Sequence, residues 1–404
     1  MCVAPRHRAP LAAVAIAYRA GTRAEGPGEH GAAHFLEHMM FKGSERFAPG
    51  EIDRLTQALG GSNNAYTSHD LALYYFTFAA DRWRAALDIE ADRMRGLRLD
   101  ADEVDAERRV IVEEIAMYEG EPWDALDEAV SARFFAGHAY GRPVLGTRAS
   151  LAAIDGAVLD AFHRRWYRPS NAVLLIVGDV DQSAAHEAAA GAFGGLAEDE
   201  VRPAEVSPGT MPRAGIERVE RRQGEVARLL VAVEAPSLGD PDHAALRLLS
   251  GVLAAGRASR LHRALVDDGQ LCTWVSADLG ESLDAGSLAI AAEAVPGADA
   301  ARIEANVLDA LRTLVETPPS DEEIARARQL LLADWLFGHE RADQGAFLLG
   351  TALSLADLEH PRRQLDGLLA ASRDDLARVA TRCFDLERRL TVGWSLPARR
   401  PATA

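Results

Sequence analysis

Apolar and polar positions change their period several times along this chain. Leu11–Tyr18 is almost wholly apolar, and residues 71–78 and 172–177 repeat such a run, so all three are expected to be strands. Residues 48–59, 82–94, 101–118 and Gln182–Phe193 instead place apolar residues three and four apart, which predicts amphipathic helices. The polar stretch Ser62–Thr67, a turn at Ser68-His69-Asp70 and the run at 71–78 together predict a hairpin. Residues 201–215 carry Pro203, Pro208 and Pro212 among few large apolar residues and are expected to be a linker. After them the order restarts. Strands are expected at 227–233, 288–292 and 389–394, helices at 241–253 and 259–267, and further helices to about Cys383. The pattern is mixed α/β, with helices covering a sheet. Two stretches of similar length and order, 1–200 and 216–404, suggest a duplicated domain.

The chemistry is concentrated in His34-Phe35-Leu36-Glu37-His38. On a helix, residues four apart share a face, so the two imidazoles can close on one Zn²⁺. Glu37 points the same way and can take a proton from water held at the metal, as general base. This order is the inverse of the commoner H-E-x-x-H. A third ligand is expected on the helix at 101–118, where Val104, Glu107, Ile111, Glu114 and Tyr118 form one stripe, flanked by Val110 and Ile115. Carboxylates inside a buried stripe need partners. Glu114 is therefore the expected third ligand, with Glu107 placed to orient a ligand or its water. Glu113 is the rival, rotated by roughly 100° off the stripe. Glu103 and Glu113 fit a solvated face.

These residues sit among others that carry a resemblance. Glu29-His30-Gly31-Ala32-Ala33 leads into the histidine motif, and Met39-Met40-Phe41-Lys42-Gly43-Ser44 follows it. Then come Gly60-Gly61-Ser62-Asn63-Asn64-Ala65-Tyr66-Thr67-Ser68, Tyr74-Tyr75, and Glu107-Arg108-Arg109-Val110-Ile111-Val112-Glu113-Glu114-Ile115. Tyr140-Gly141-Arg142-Pro143, Gly146-Thr147, Tyr167-Arg168-Pro169-Ser170-Asn171 and Gly178-Asp179 complete the set. The chain resembles the pitrilysin and mitochondrial processing peptidase family of inverted zinc peptidases. The resemblance spans nearly the whole chain and is strongest from Gly21 to Asp179. It implies an α+β fold of two related α/β halves, each a mainly antiparallel sheet covered by helices, enclosing a peptide-binding chamber. It implies zinc on His34, His38 and Glu114, an essential role for Glu107, and substrate held beside Asn64 and Ala65. The activity implied is that of a zinc metalloendopeptidase acting on short or unfolded peptides. The runner-up reading, a structural subunit without catalysis, goes with lost ligands, and here the ligands and the base are present.

One stretch departs from the family. Relatives carry an Arg and a Tyr seven apart in the second half to hold the substrate carbonyl. Here those positions are Val266 and Thr273, and no Tyr follows Tyr167. The expectation is a zinc-bearing subunit that works with a related, non-zinc partner. Arg257, Arg260 and Arg263 are the candidates in a self-sufficient homodimer.

Composition adds exclusions. With 44 basic and 61 acidic residues the 404-residue chain has a formal net charge of −17, which disfavours nucleic acid as a partner. Three scattered cysteines argue against a disulfide framework. No apolar run is long enough to span a membrane. Met1 to Pro10 lacks a signal-peptide pattern, making the cytoplasm the default compartment. Relatives begin with another strand and turn before Leu11, so a truncated start, a lost leader and the periplasm stay open.

Overall fold

The computed structural model describes residues 1–196, 209 and 215–398. Its first sheet contains β1 (Cys2–Pro5), β2 (Leu11–Tyr18), β3 (Ser62–Thr67), β4 (Ala72–Ala79) and β5 (Ala172–Gly178), in the spatial order β1-β5-β2-β4-β3. The second contains β6 (Ile216–Arg222), β7 (Arg228–Ala235), β8 (Cys272–Leu279), β9 (Gly286–Ala294) and β10 (Leu390–Leu396), in the order β6-β10-β7-β9-β8. The two orders are equivalent, position for position. In each sheet an edge strand runs parallel to its neighbour, β1 with β5 and β6 with β10, and the remaining pairs are antiparallel. The expected duplication is therefore visible as topology, and the α+β fold with helix-covered, mainly antiparallel sheets is the observed one.

Both faces of the first sheet are covered. Val14, Ile16, Tyr18, Tyr74 and Phe76 point to one side, towards α1 (Ala32–Met39), α2 (Glu51–Ala58) and α3 (Arg84–Arg95). Ala13, Ala15, Leu175 and Val177 point to the other, where Ala346 of the helix Ala342–Leu355 packs on them. Burial on both faces explains why β2 is apolar without alternation. In the second sheet Leu230 and Ala232 of β7 pack against Leu126 and Val130 of α5 (Pro122–Phe134), which follows the long helix α4 (Ala101–Gly120). Gly393 of β10 lets α5 come this close, since a Cβ there would lie 2.2 Å from Val130 Cγ2.

These covering helices change the domain boundaries. The first compact unit holds Met1–Ala116, the described residues from Arg142 to Leu196, and Leu336–His360. The second holds Met117–Gly141, the described residues from Gly209 to Trp335, and those from Pro361 to Ala398. The division into 1–200 and 216–404 thus misses an exchange, because each sheet recruits a helix from the other stretch of sequence to bury its second face. The expected linker at 201–215 lies outside the described residues except for Gly209 and Gly215.

A charged pair sits within the first unit's core. Arg93 and Glu90 on α3 are both fully buried and hydrogen-bonded to each other. The Arg93 guanidinium lies 5.2 Å from the Phe41 ring, 4.9 Å from Tyr74 and 5.5 Å from Phe76, and donates to Met40 O at 3.4 Å, just past the end of α1. Removing one partner of such a pair leaves a buried, uncompensated charge. Arg93→Ala is expected to lower stability by about 3–5 kcal/mol, read as a fall in the denaturant midpoint. An unchanged midpoint would show that Glu90 finds another partner or a proton.

Candidate metal centre

The centre is built on α1. Ala32, Ala33, Phe35, Leu36 and Met39 are buried in the core, which fixes the helix by one side. Its start is set by Gly31, which has φ 97° and approaches Gly146 so closely that a Cβ would lie 3.0 Å from Gly146 Cα. Glu25, almost fully buried, reaches under this end. Its Oε1 accepts from Gly31 N at 3.1 Å and Ala33 N at 3.0 Å, satisfying donors that no turn of helix can reach. Burial pushes the Glu25 carboxyl up to about 8, against the pull of those amides and of Arg142. Nothing in the spacing of Glu25 announced this role.

With α1 held, the imidazoles of His34 and His38 stand 4.7 Å apart between ring centroids, tilted by 64°. α4 brings two carboxylates to them. Glu114 Oε2 lies 3.3 Å from His38 Nε2 and 3.8 Å from His34 Nε2. Glu107, buried, accepts at 2.8 Å from His38 Nδ1 through Oε1, and its Oε2 pairs with Lys42 Nζ at 2.6 Å. One donor atom from each of His34, His38 and Glu114 falls within 4.8 Å of the other two. Donors on a tetrahedral zinc with bonds of about 2.0–2.1 Å stand roughly 3.4 Å apart, so the spacing suits such an ion. Glu114 Oε2 is buried with no hydrogen-bond partner among the described residues, an unsatisfied acceptor that a cation would satisfy.

The expected stripe on α4 is largely present. Val104, Glu107, Ile111 and Ile115 are buried and Glu114 is half-buried. Val110 does not flank it: Val110 is 49% exposed and Tyr118 is 39% exposed. A 3.6-residue period carries position 110 off a stripe centred on 107 and 111, and the helix outruns its packing near its end. Glu113 is exposed, away from the imidazoles. Lys42 was not singled out by the sequence pattern; it lies past the end of α1, where helical spacing no longer applies.

Charge is distributed unevenly over the centre. Burial, then the neighbouring His38, lowers His34 to about 4, so its imidazole is neutral. Burial acts in the same direction on His38, but Glu107 and Glu114 outweigh it and push His38 up to about 9. Burial would raise Glu107, yet His38 and Lys42 keep it below the usual carboxylate range. The metal-free protein therefore carries a proton on His38 at pH 7, which a cation must displace. Metal uptake at pH 7 is expected to release that proton, and apparent affinity to rise with pH up to about 9. Calorimetric titrations in buffers of different ionisation enthalpy measure the release, and buffer-independent heats would contradict it.

Glu37, half-buried on α1, lies beside the Thr67 hydroxyl of β3. Burial raises its carboxyl, opposed by the Thr67 hydroxyl and His38. Its charge reaches Tyr66, whose phenol is raised first by burial and then by Glu37. Tyr66 and Thr67 end β3, which forms the edge of the first sheet and pairs only with β4 among the described residues. Ala65 packs on the α1 side of that strand, whereas Asn64 is exposed on the other, its Oδ1 accepting from Ala65 N at 2.9 Å. In the second unit the helix His243–Ala254, topologically equivalent to α1, has no such motif. Val266 is half-buried against that unit's core, and the Thr273 hydroxyl donates to Glu293 O at 3.2 Å. Arg260 is engaged by Glu323 at 2.8 Å and Arg257 by Asp267 at 3.5 Å, while Arg263 is exposed.

An inverted H-x-x-E-H helix and a glutamate from a second helix bring three donor atoms within 4.8 Å of one another, the donor set of a candidate metal centre of the inverted zinc-peptidase type. Residues 2–148 match the family described as Insulinase (Peptidase family M16), and residues 153–331 match the Peptidase M16 inactive domain. An uncharacterized zinc protease of Mycobacterium tuberculosis is 30% identical over 375 residues, covering 91% of this chain and 85% of the relative. The crystal structure of a protease from Helicobacter pylori superposes with a TM-score of 0.92 at 25% identity, covering 98% of this chain and 96% of that one. An M16-like peptidase from Alicyclobacillus acidocaldarius shares the fold at a TM-score of 0.87 and 22% identity, over 98% of this chain and 95% of its own. The chain belongs to the M16, or pitrilysin, family of zinc-dependent metallopeptidases.

Proposed function

We propose that this chain is a zinc metalloendopeptidase that hydrolyses short or unfolded peptides, with His34, His38 and Glu114 holding the ion. The observation that carries the reading is the convergence of those three donors with Glu37 beside an unpaired strand edge. A bound zinc would supply a Lewis acid that makes water nucleophilic near neutral pH and draws charge from the scissile carbonyl. Glu37 takes the proton from the attacking water and returns it to the leaving amine, a role suited to a carboxyl raised by burial. Glu107, paired with Lys42, accepts from His38 Nδ1 and so fixes the tautomer whose Nε2 lone pair, beside Glu114, would be free for the ion. The backbone of β3 at Asn64 and Ala65 holds the peptide extended, as an added strand.

The test is cleavage of a quenched-fluorescent peptide library by zinc-loaded protein, with a chelator control. Chelator-insensitive cleavage, or none under any condition, counts against the reading. Glu107→Gln keeps a hydrogen-bonding group but removes the charge, and is expected to weaken metal binding by about 10–100-fold, measured by competition with a chromophoric chelator. Unchanged affinity would return Glu107 to a purely structural place.

A second, related chain without the metal ligands is proposed to complete the site, since Val266 and Thr273 cannot hold a substrate carbonyl as an Arg and a Tyr do. Activity that appears only when such a chain co-purifies supports this. Full activity of the isolated chain would transfer the role to one of its own arginines.

A further inference from the structure

On the face of the first sheet opposite α1 lies a cleft of about 260 Å³, lined by Tyr75, Gly338, Asp343, Gln344, Phe347 and Leu348. Its one charged lining residue, Asp343, is paired with Arg341 at 2.6 Å, so the walls present mainly the Tyr75 and Phe347 rings and Leu348 carbon, beside the neutral Gln344 amide, with no unmatched charge. The register of β3 connects this cleft to the sheet edge. Ala65 is opposite Tyr74 and shares the α1 face, whereas Asn64 is opposite Tyr75 and Tyr66 opposite Leu73, on the cleft's face. Tyr66, 45% exposed, sets its ring edge-on to Phe347 at 5.4 Å.

We propose that this cleft is a specificity subsite that takes a large apolar or aromatic side chain of the bound peptide. The proposal rests on the reading of β3 as the peptide-binding edge. A peptide added there alternates its side chains between the two faces with period two. Those on the α1 face point towards the metal centre, and those on the other stand beside Asn64 and Tyr66. Strands lie about 4.8 Å apart, so only the short Asn64 side chain separates such a residue from Tyr75 in the same row. A phenylalanine or leucine leaning over Asn64 meets Tyr75 and Phe347, and a small or charged side chain gains nothing there. The volume is below the roughly 300–1,000 Å³ of sites that enclose a whole small molecule, and suits one side chain. Exposed Tyr66 and Leu348 at the rim, at 45% and 36%, are the apolar surface such a residue would cover.

The experiment uses the full chain as zinc-loaded Glu37→Gln, so that peptides bind without being cut. Fluorescent peptides differing only in Ala, Leu or Phe at successive positions are titrated by anisotropy. At one position Phe is expected to bind about tenfold tighter than Ala. Adding Leu348→Lys or Phe347→Ser is expected to reduce that ratio to within about twofold, and Leu348→Trp, which fills the cleft without adding charge, to do the same. Circular dichroism and Tm establish that each variant is folded. No preference at any position, or a preference that survives all three substitutions, overturns the subsite. Chelator-sensitive cleavage by the unsubstituted protein scores the peptidase reading separately. Cleavage without a cleft-dependent preference removes only the subsite, and absence of both cleavage and binding, with the related chain present as well as without it, removes both.

Discussion

Zinc-loaded Glu37→Gln protein is expected to keep its metal and to lose peptide hydrolysis by about 10³-fold, within the 10²–10⁴ range of a positioned general base. The substitution is nearly isosteric, so α1 should pack as before. Glutamine can still hydrogen-bond, but it cannot accept a proton from water at neutral pH. Glu37 is half-buried, near His38 and the Thr67 hydroxyl, and its carboxyl feels the charge of Glu114. Glu107 is occupied by His38 and Lys42, and Glu114 faces both imidazoles. Metal content by atomic spectroscopy and turnover of a fluorogenic peptide are the two measurements. Normal turnover with normal metal content would sink the assignment.

The second large effect is a contrast between neighbours on α4. Glu114→Ala is expected to lose metal at stoichiometric concentrations, by more than the roughly 10–100-fold that an outer-shell partner costs, and activity should vanish with it. Glu113→Ala should leave both intact. The two positions differ by one residue and about 100° of rotation. Only Glu114 has its Oε2 within 3.3 Å and 3.8 Å of the imidazole Nε2 atoms, whereas Glu113 is exposed. Retained metal in Glu114→Ala, or loss in Glu113→Ala, would reverse the assignment.

The centre was unusually legible because it lies on two helices, where spacing maps directly onto faces. His34, Glu37 and His38 fall on one face by the 3.6-residue period, and Glu107 and Glu114 form part of a stripe that would otherwise be apolar. Lys42 and Glu25 were not legible. Each acts across a chain reversal, where no period connects it to its partner. The strands behaved similarly. β2, β4 and β5 carry apolar runs because core covers them, and all three could be read. β1, β6 and β8 were missed: all are edge strands, and Ile216–Arg222 alternates charges along an exposed ribbon. Such strands are held by backbone bonds to one neighbour, which leave little mark on side-chain choice.

The sequence by itself determined β2, β4 and β5, the metal-binding helix and the carboxylate that answers it, because local periodicity and the cost of a buried charge are written residue by residue; α5 and the helix Gly156–Trp166 bury apolar faces and were not anticipated. Tertiary structure alone decided that Glu107 bonds His38 Nδ1 while Glu114 faces Nε2. It also decided that the helix Ala342–Leu355 crosses to the first sheet and α5 to the second, and that Asn64 and Tyr66 face a cleft. These depend on which surfaces meet, and a sheet face can be covered by any apolar helix of fitting shape, wherever in the chain it comes from.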